Sequence, residues 1–152
     1  MSTDHAPAAS DCLFCKIIAR QVPADIIHET ATTLAFRDIK PQAPTHVLVI
    51  PKEHQPNVVA LGVSSPHGVA ELFEAVGAVA RLEGLQAGYR SVFNTGALAQ
   101  QEVFHAHVHV LGGRAMTWPP TGCGWWHASA RCRRGCGGRG PSAPRRPARR
   151  RR

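Results

Sequence analysis

A chain of 152 residues with 43% hydrophobic content holds one compact domain with a modest core and is too short for two. No apolar run approaches the roughly 18 residues of a membrane span, and Met1 to Ser10, which includes Asp4, His5 and Pro7, lacks the apolar stretch of a secretory signal, so a cytoplasmic protein without a membrane partner is expected. The formal charge of +8 is misleading, because ten of the 18 Lys and Arg residues follow Pro120 and all ten acidic residues precede it; the slightly acidic body gives no charge argument for nucleic acid.

Along the chain, Cys12 and Cys15 come first, in a Cys-x-x-Cys spacing. In a reducing compartment this suggests metal or redox chemistry more than a structural disulfide. Residues 13–19 read as one or two helical turns, closed by Val22-Pro23 because proline disfavours helix in the residue before it. Residues 26–28 and 33–36 look like short strands, and a turn candidate at 39–44 follows. Residues 45–50, Thr-His-Val-Leu-Val-Ile, are rich in β-branched side chains and run into Pro51, as a core strand should.

A long helix is expected next. Ser64 or Ser65 can cap it with Pro66 at the first helical position. Val69, Leu72, Phe73, Val76, Val79 and Ala80 fall on one face, and Glu71, Glu74, Arg81 and Glu83 on the other. Residues 89–93 give another strand, 94–101 a polar loop, and 103–111 the last strand, ended by Gly112-Gly113. The whole predicts an α+β fold over residues 11–120: an antiparallel sheet of about five strands, with one long and one short helix packed on one side.

The most informative stretch is Phe104-His105-Ala106-His107-Val108-His109-Val110-Leu111. Side chains alternate across a strand, so His105, His107 and His109 share one face while Ala106, Val108 and Val110 take the other and can pack on the helix. Three imidazoles in a row are costly to bury without partners. Taken alone they suit a zinc site, a nucleophilic site or an exposed polar face equally well.

His-Ala-His-Val-His-Val-Leu resembles the His-φ-His-φ-His-φ-φ motif (φ apolar) of the histidine triad (HIT) family. Cys12-Leu-Phe-Cys-Lys-Ile-Ile, Ala35-Phe-Arg-Asp-Ile, the run from Pro41 to His54, and Gly112-Gly-Arg-Ala-Met-Thr-Trp-Pro-Pro are similar to its Hint branch, and together cover about residues 11–120. The resemblance implies a purine nucleotide substrate and hydrolysis of nucleoside 5′-phosphoramidates, of the adenosine 5′-monophosphoramidase type, through a nucleotidyl-histidine intermediate. It makes His107 the nucleophile, with a backbone carbonyl or second histidine fixing its tautomer. His46 looks like that partner, although on its own it reads as a satisfied core histidine. His105 completes the catalytic set, and His109 contacts the α-phosphate.

By the same resemblance Asp38 holds the ribose hydroxyls, Ile39 lines the base pocket, and Asn94 lies near the phosphate, with Glu102 and Val103 adding to the nucleotide site. The usual run before the triad is Gly-Gln-Ser-Val or Gly-Gln-Glu-Val; this chain has Gln100-Gln101-Glu102-Val103, in which Glu102 replaces a serine hydroxyl found in some members. Cys12, Cys15, His54 and His105 are the positions at which some bacterial members hold a structural zinc; no cofactor is required for catalysis. A homodimer is implied. The competing functions are dinucleoside polyphosphate hydrolysis and a purine-nucleotide-binding regulatory role with little turnover.

Residues 121–152 have no counterpart in that resemblance. Their Arg, Gly, Pro and Ala content predicts disorder, and codon bias suggests a read-through or frameshifted segment. If genuine, the ten arginines would bind nucleic acid non-specifically. A zinc knuckle from Cys123, His127, Cys132 and Cys136 is a weaker alternative.

Overall fold

A computed structural model describes residues 10–117. The N-terminal segment 1–9, Trp118-Pro119-Pro120 and the Arg-rich segment 121–152, with the expectations attached to them, lie outside the described residues. The elements are α1 (Leu13–Ile18), β1 (Ile26–Glu29), β2 (Thr33–Arg37), β3 (Thr45–Pro51), α2 (Val58–Ser64), α3 (Pro66–Leu82), β4 (Tyr89–Val92), a 3₁₀ turn at Ala97–Ala99, and β5 (Val108–Gly112). The strands form one five-stranded sheet in the order β1-β2-β3-β5-β4, antiparallel at every pairing. Among the described residues no helix is long and apolar enough to cross a membrane.

All seven residues of β3 are buried. Val47 and Val49 point into a cluster with Ala106, Val108 and Val110 from the last strand and Leu72, Ala75, Val76 and Val79 from α3. Leu48 and Ile50 point the other way, to Phe36, Leu34, and Phe14 and Ile17 of α1. The helices therefore lie on both faces rather than one. The signal was present: an unbroken apolar run, instead of alternation, marks a strand covered on both sides. Each large side chain so buried contributes about 1.5–3 kcal/mol.

α3 begins where the Ser-Pro pair places it, with the Ser65 hydroxyl accepting from Gly68 N–H at 3.0 Å. Phe73 departs from its expected place. It is half exposed and meets Phe93 at 5.8 Å instead of entering the core. α2 has no counterpart in the sequence reading, although Asn57 caps it by accepting from Ala60 N–H at 2.9 Å. Only Leu61 of this helix is buried, so its Val-Val start carried no helical period.

The last strand is shorter than expected. Pairing with β3 starts at Val49↔Val108, and residues 103–107 run outside the ladder. There His105 N–H bonds Val103 O at 2.9 Å and Ala106 N–H bonds Gln55 O at 2.6 Å. Gly112 lies inside the strand, and Gly113, at φ 82°, ends it.

Candidate active site

His107 is buried, in the irregular segment just before β5. Its Nδ1–H donates to the carbonyl of His105 at 2.7 Å. A carbonyl engaged in a ladder would have been taken by the neighbouring strand; this one is free for a side chain because the backbone has left the sheet. With the proton fixed on Nδ1, the lone pair is on Nε2. Burial lowers the pKa of His107, partly offset by the His105 carbonyl and by Asp38, so the ring is neutral near pH 7.

His109 lies on the regular strand with its ring 5.0 Å from that of His107. Opposite on β3, His46 pairs with Leu111 across the ladder, which makes His109 its diagonal neighbour. The two rings meet through His46 Nε2 and His109 Nδ1 at 2.9 Å. His46 Nδ1 accepts from the Gln42 backbone N–H at 3.2 Å, so the proton of a neutral His46 is on Nε2 and is donated to His109. His109 then carries its own proton on Nε2. The pair of rings facing the cavity is thus complementary, one bare nitrogen beside one N–H. Burial first, and then the neighbouring histidines, push His109 down to about 4; burial also lowers His46.

Of the two partners expected for His107, a backbone carbonyl or the second histidine His46, the structure has the carbonyl, that of His105, while His46 bonds His109 instead. Asp38 sits with Oδ2 3.5 Å from His46 Nε2, while its Oδ1 accepts from Lys40 N–H at 2.7 Å, a turn-forming bond. Asp38, His46 and His109 are close enough to share a cation, but the 2.9 Å bond between the two rings already engages the nitrogens involved.

These groups open into a cavity of about 670 Å³, whose walls include Leu13, Phe14 and Ile17 of α1, Phe36, Asp38, Ile39, Glu102, Val103, His46, His107 and His109. Ile39 stands at the rim, 91% exposed. Asn94 and His105 are not in the wall. Asn94 is buried behind it, its side-chain amide donating to Gln100 O at 3.4 Å, and His105 is turned away.

Sequence reasoning missed the apolar wall from α1 and the role of Gln101. That buried amide donates to Pro56 O at 2.6 Å and Val103 O at 3.2 Å and accepts from Gly96 N–H at 3.0 Å, fixing the loop that carries Glu102. The neighbouring Gln100, where glycine is usual, has φ 61°, a left-handed conformation that costs a non-glycine residue roughly 1–2 kcal/mol.

On the other side of His105 is a second cluster. Its Nε2–H donates to Pro51 O at 2.8 Å, leaving Nδ1 bare. That nitrogen lies 3.5 Å from Cys12 Sγ, 3.6 Å from Cys15 Sγ and 3.2 Å from His54 Nδ1, and Cys15 Sγ is 3.3 Å from His54 Nδ1. A tetrahedral zinc with two sulfur and two nitrogen ligands has S···N edges of about 3.5 Å and an N···N edge of about 3.3 Å. The four atoms fit such an ion, and the Pro51 bond is the outer contact that orients a ligating imidazole. Burial, and then Cys12, push the Cys15 thiol up to about 11, so ligation of a metal would release protons.

The HIT domain profile matches residues 19–116. Over 112 residues the chain is 47% identical to an uncharacterised HIT-like protein of Synechococcus elongatus, covering 74% of this chain and 98% of that one. It is 44% identical to a 14 kDa zinc-binding protein of Zea mays, covering 73% and 88%. Among solved structures, a HIT family hydrolase from Clostridium thermocellum superposes with a TM-score of 0.70 at 42% identity, covering 72% of this chain and 96% of that one. A histidine triad nucleotide-binding protein from Candida albicans gives 0.63 at 31% identity, covering 72% and 83%.

Proposed function

The chain belongs to the HIT family, and from that premise we propose that it hydrolyses nucleoside 5′-phosphoramidates, with His107 Nε2 as the nucleophile. The observation that carries this is the 2.7 Å bond from His107 Nδ1 to the His105 carbonyl, which leaves a neutral ring with its reactive lone pair beside an open cavity. In the first step the lone pair of Nε2 forms a bond to the α-phosphorus as the P–N bond to the amine breaks, and the amine departs with a proton. In the second, water attacks the phosphorus and gives up the proton that replaces the one the amine took, while the P–Nε2 bond breaks and the histidine leaves as the neutral ring, giving a nucleoside monophosphate. The His109 N–H supports the phosphate oxygens as charge develops. Asp38 Oδ2 is the carboxylate oxygen left for a ribose hydroxyl, Oδ1 being engaged by Lys40.

Glu102, exposed at the cavity wall, is placed to exchange a proton with the leaving amine. The hydrolases and the nucleotide-binding protein among the structural relatives support the class of reaction; the choice of a P–N bond rests on the resemblance of residues 11–120 to the Hint branch. Zinc at Cys12, Cys15, His54 and His105 would supply no chemistry to these steps and would fasten α1 to the sheet. Free thiols and a nucleotide substrate suit a cytoplasmic setting.

Replacing His107 with alanine tests the reading. kcat on an adenosine phosphoramidate is expected to fall by several orders of magnitude while AMP binding is largely retained. Wild-type protein that never carries a nucleotide on this ring in acid-quenched reactions would refute it. A homodimer that pairs two sheets edge to edge is part of the same proposal, since β4 is an edge strand and Tyr89 on it is 41% exposed. Sedimentation at the mass of one chain would reject that part.

A further inference from the structure

Two residues connect the metal-type cluster to the cavity, His105 from the cluster and Phe14 from the cavity wall. His105 directs its ring nitrogen at Cys12, Cys15 and His54, and its carbonyl at the His107 ring. Phe14 lies between the two cysteines on α1; its ring meets His105 at 5.9 Å and His107 at 5.3 Å, both edge on, and it forms part of the cavity wall with Leu13 and Ile17. α1 has six residues, too few to be stable as a helix without outside support. Fixing Cys12 and Cys15 on one ion therefore fixes the segment that forms this wall, and it sets the main chain that holds the tautomer of His107.

We propose that zinc at Cys12, Cys15, His54 and His105 and a nucleotide in the cavity are linked, each tightening the other, through Phe14 and the His105 main chain. The nucleotide half of this rests on the function proposed above. Ligation exchanges two thiol protons for one divalent ion, with no change of oxidation state. The other cluster, formed by α3 and the opposite face of the sheet, contains no α1 residue, so the metal-free chain keeps a core. By linkage the two affinities must change by the same factor, since the order of binding cannot alter the total free energy.

The test uses the full chain. Zinc affinity is measured by competition with a chromophoric chelator, with and without saturating AMP, and AMP affinity by calorimetry, with and without zinc. Both are expected to rise by a common factor of about five or more. In spectra of ¹⁵N-histidine-labelled protein, His107 should show a single Nδ1-protonated tautomer with zinc and a mixture without it. Phe14→Leu should keep zinc binding while the factor moves toward one. A wild-type factor of one, with AMP bound in both states, overturns the proposal. A factor left undiminished by Phe14→Leu also overturns it, because linkage through general unfolding would not pass through this ring. If AMP does not bind at all, the nucleotide reading falls and takes the nucleotide half of the linkage with it, and the His107 spectrum decides the other half: unchanged on zinc removal, it rejects control of the ring by the metal site; changed, it upholds that control alone.

Discussion

His46→Ala removes the donor to His109 Nδ1 and nothing that touches the phosphorus. His46 is buried, 6% exposed, and its Nε2 stands 2.9 Å from His109 Nδ1 while its Nδ1 is fixed by Gln42 N–H. Without that donor the His109 ring is free to move its proton to Nδ1, and the N–H facing the phosphate is lost for part of the time. One hydrogen bond of this kind is worth about 0.5–1.5 kcal/mol, which corresponds to a fall in kcat/KM of roughly two- to tenfold. His109→Ala removes the N–H itself and should cost roughly 10²–10³. Two further substitutions separate tautomer control from packing. The amide nitrogen of His46→Gln reaches the position of Nε2 and should recover most of the loss. That of His46→Asn ends near Nδ1 and should not. The assay is steady-state hydrolysis of an adenosine phosphoramidate by all four variants. An Ala variant as poor as His109→Ala, or a Gln variant no better than Asn, would refute the relay from Gln42 through His46 to His109.

Two other predictions concern protonation and packing. Because burial lowers the nucleophile His107 below the ordinary histidine value and, with His107 and His46 nearby, holds His109 at about 4, kcat/KM should stay level from pH 8 through 6.5 and fall only in more acid solution. An acid limb centred near 6.5, the ordinary histidine value, would contradict the neutral-ring mechanism. Stability should follow the same group: the unfolded chain takes up the proton at about 6.5 and the fold resists it until about 4, so stability falls as pH drops through that window, by up to about 3 kcal/mol for His109 alone. Urea melts at pH 7 and pH 4.5 would detect this. Gly112→Ala would place a Cβ 2.5 Å and 2.8 Å from the two Cδ atoms of Leu85 and 3.1 Å from its Cγ. Leu85 is buried, so the strain should be about 1–3 kcal/mol, seen as a Tm lower by on the order of 5–10 °C; an unchanged melt would mean that Leu85 relocates freely.

What the sequence disclosed was whatever depends on near neighbours. The Ser65-Pro66 start of α3, the β-branched run of β3 and the placing of Ala106, Val108 and Val110 against α3 all follow from local caps and from alternation. Alternation gives the side of the sheet on which a residue lies, but not what it meets there. The partner of His46 depends on cross-strand register, which sets it opposite Leu111 and diagonal to His109, and no feature of the two segments read separately encodes that offset. The break before Val108 was hidden for a related reason: a backbone leaves a ladder when its hydrogen bonds are satisfied elsewhere, here by Gln55 O and Val103 O, and Gln55 is distant in sequence. That break has the largest functional consequence. Had residues 103–107 continued the ladder, the His105 carbonyl would be committed to a neighbouring strand and the His107 proton would have no fixed place. The three histidines look equivalent as a sequence pattern, but the departure from regular structure divides them. One ring turns to the thiols, one presents a bare nitrogen, and one, held by His46, presents an N–H.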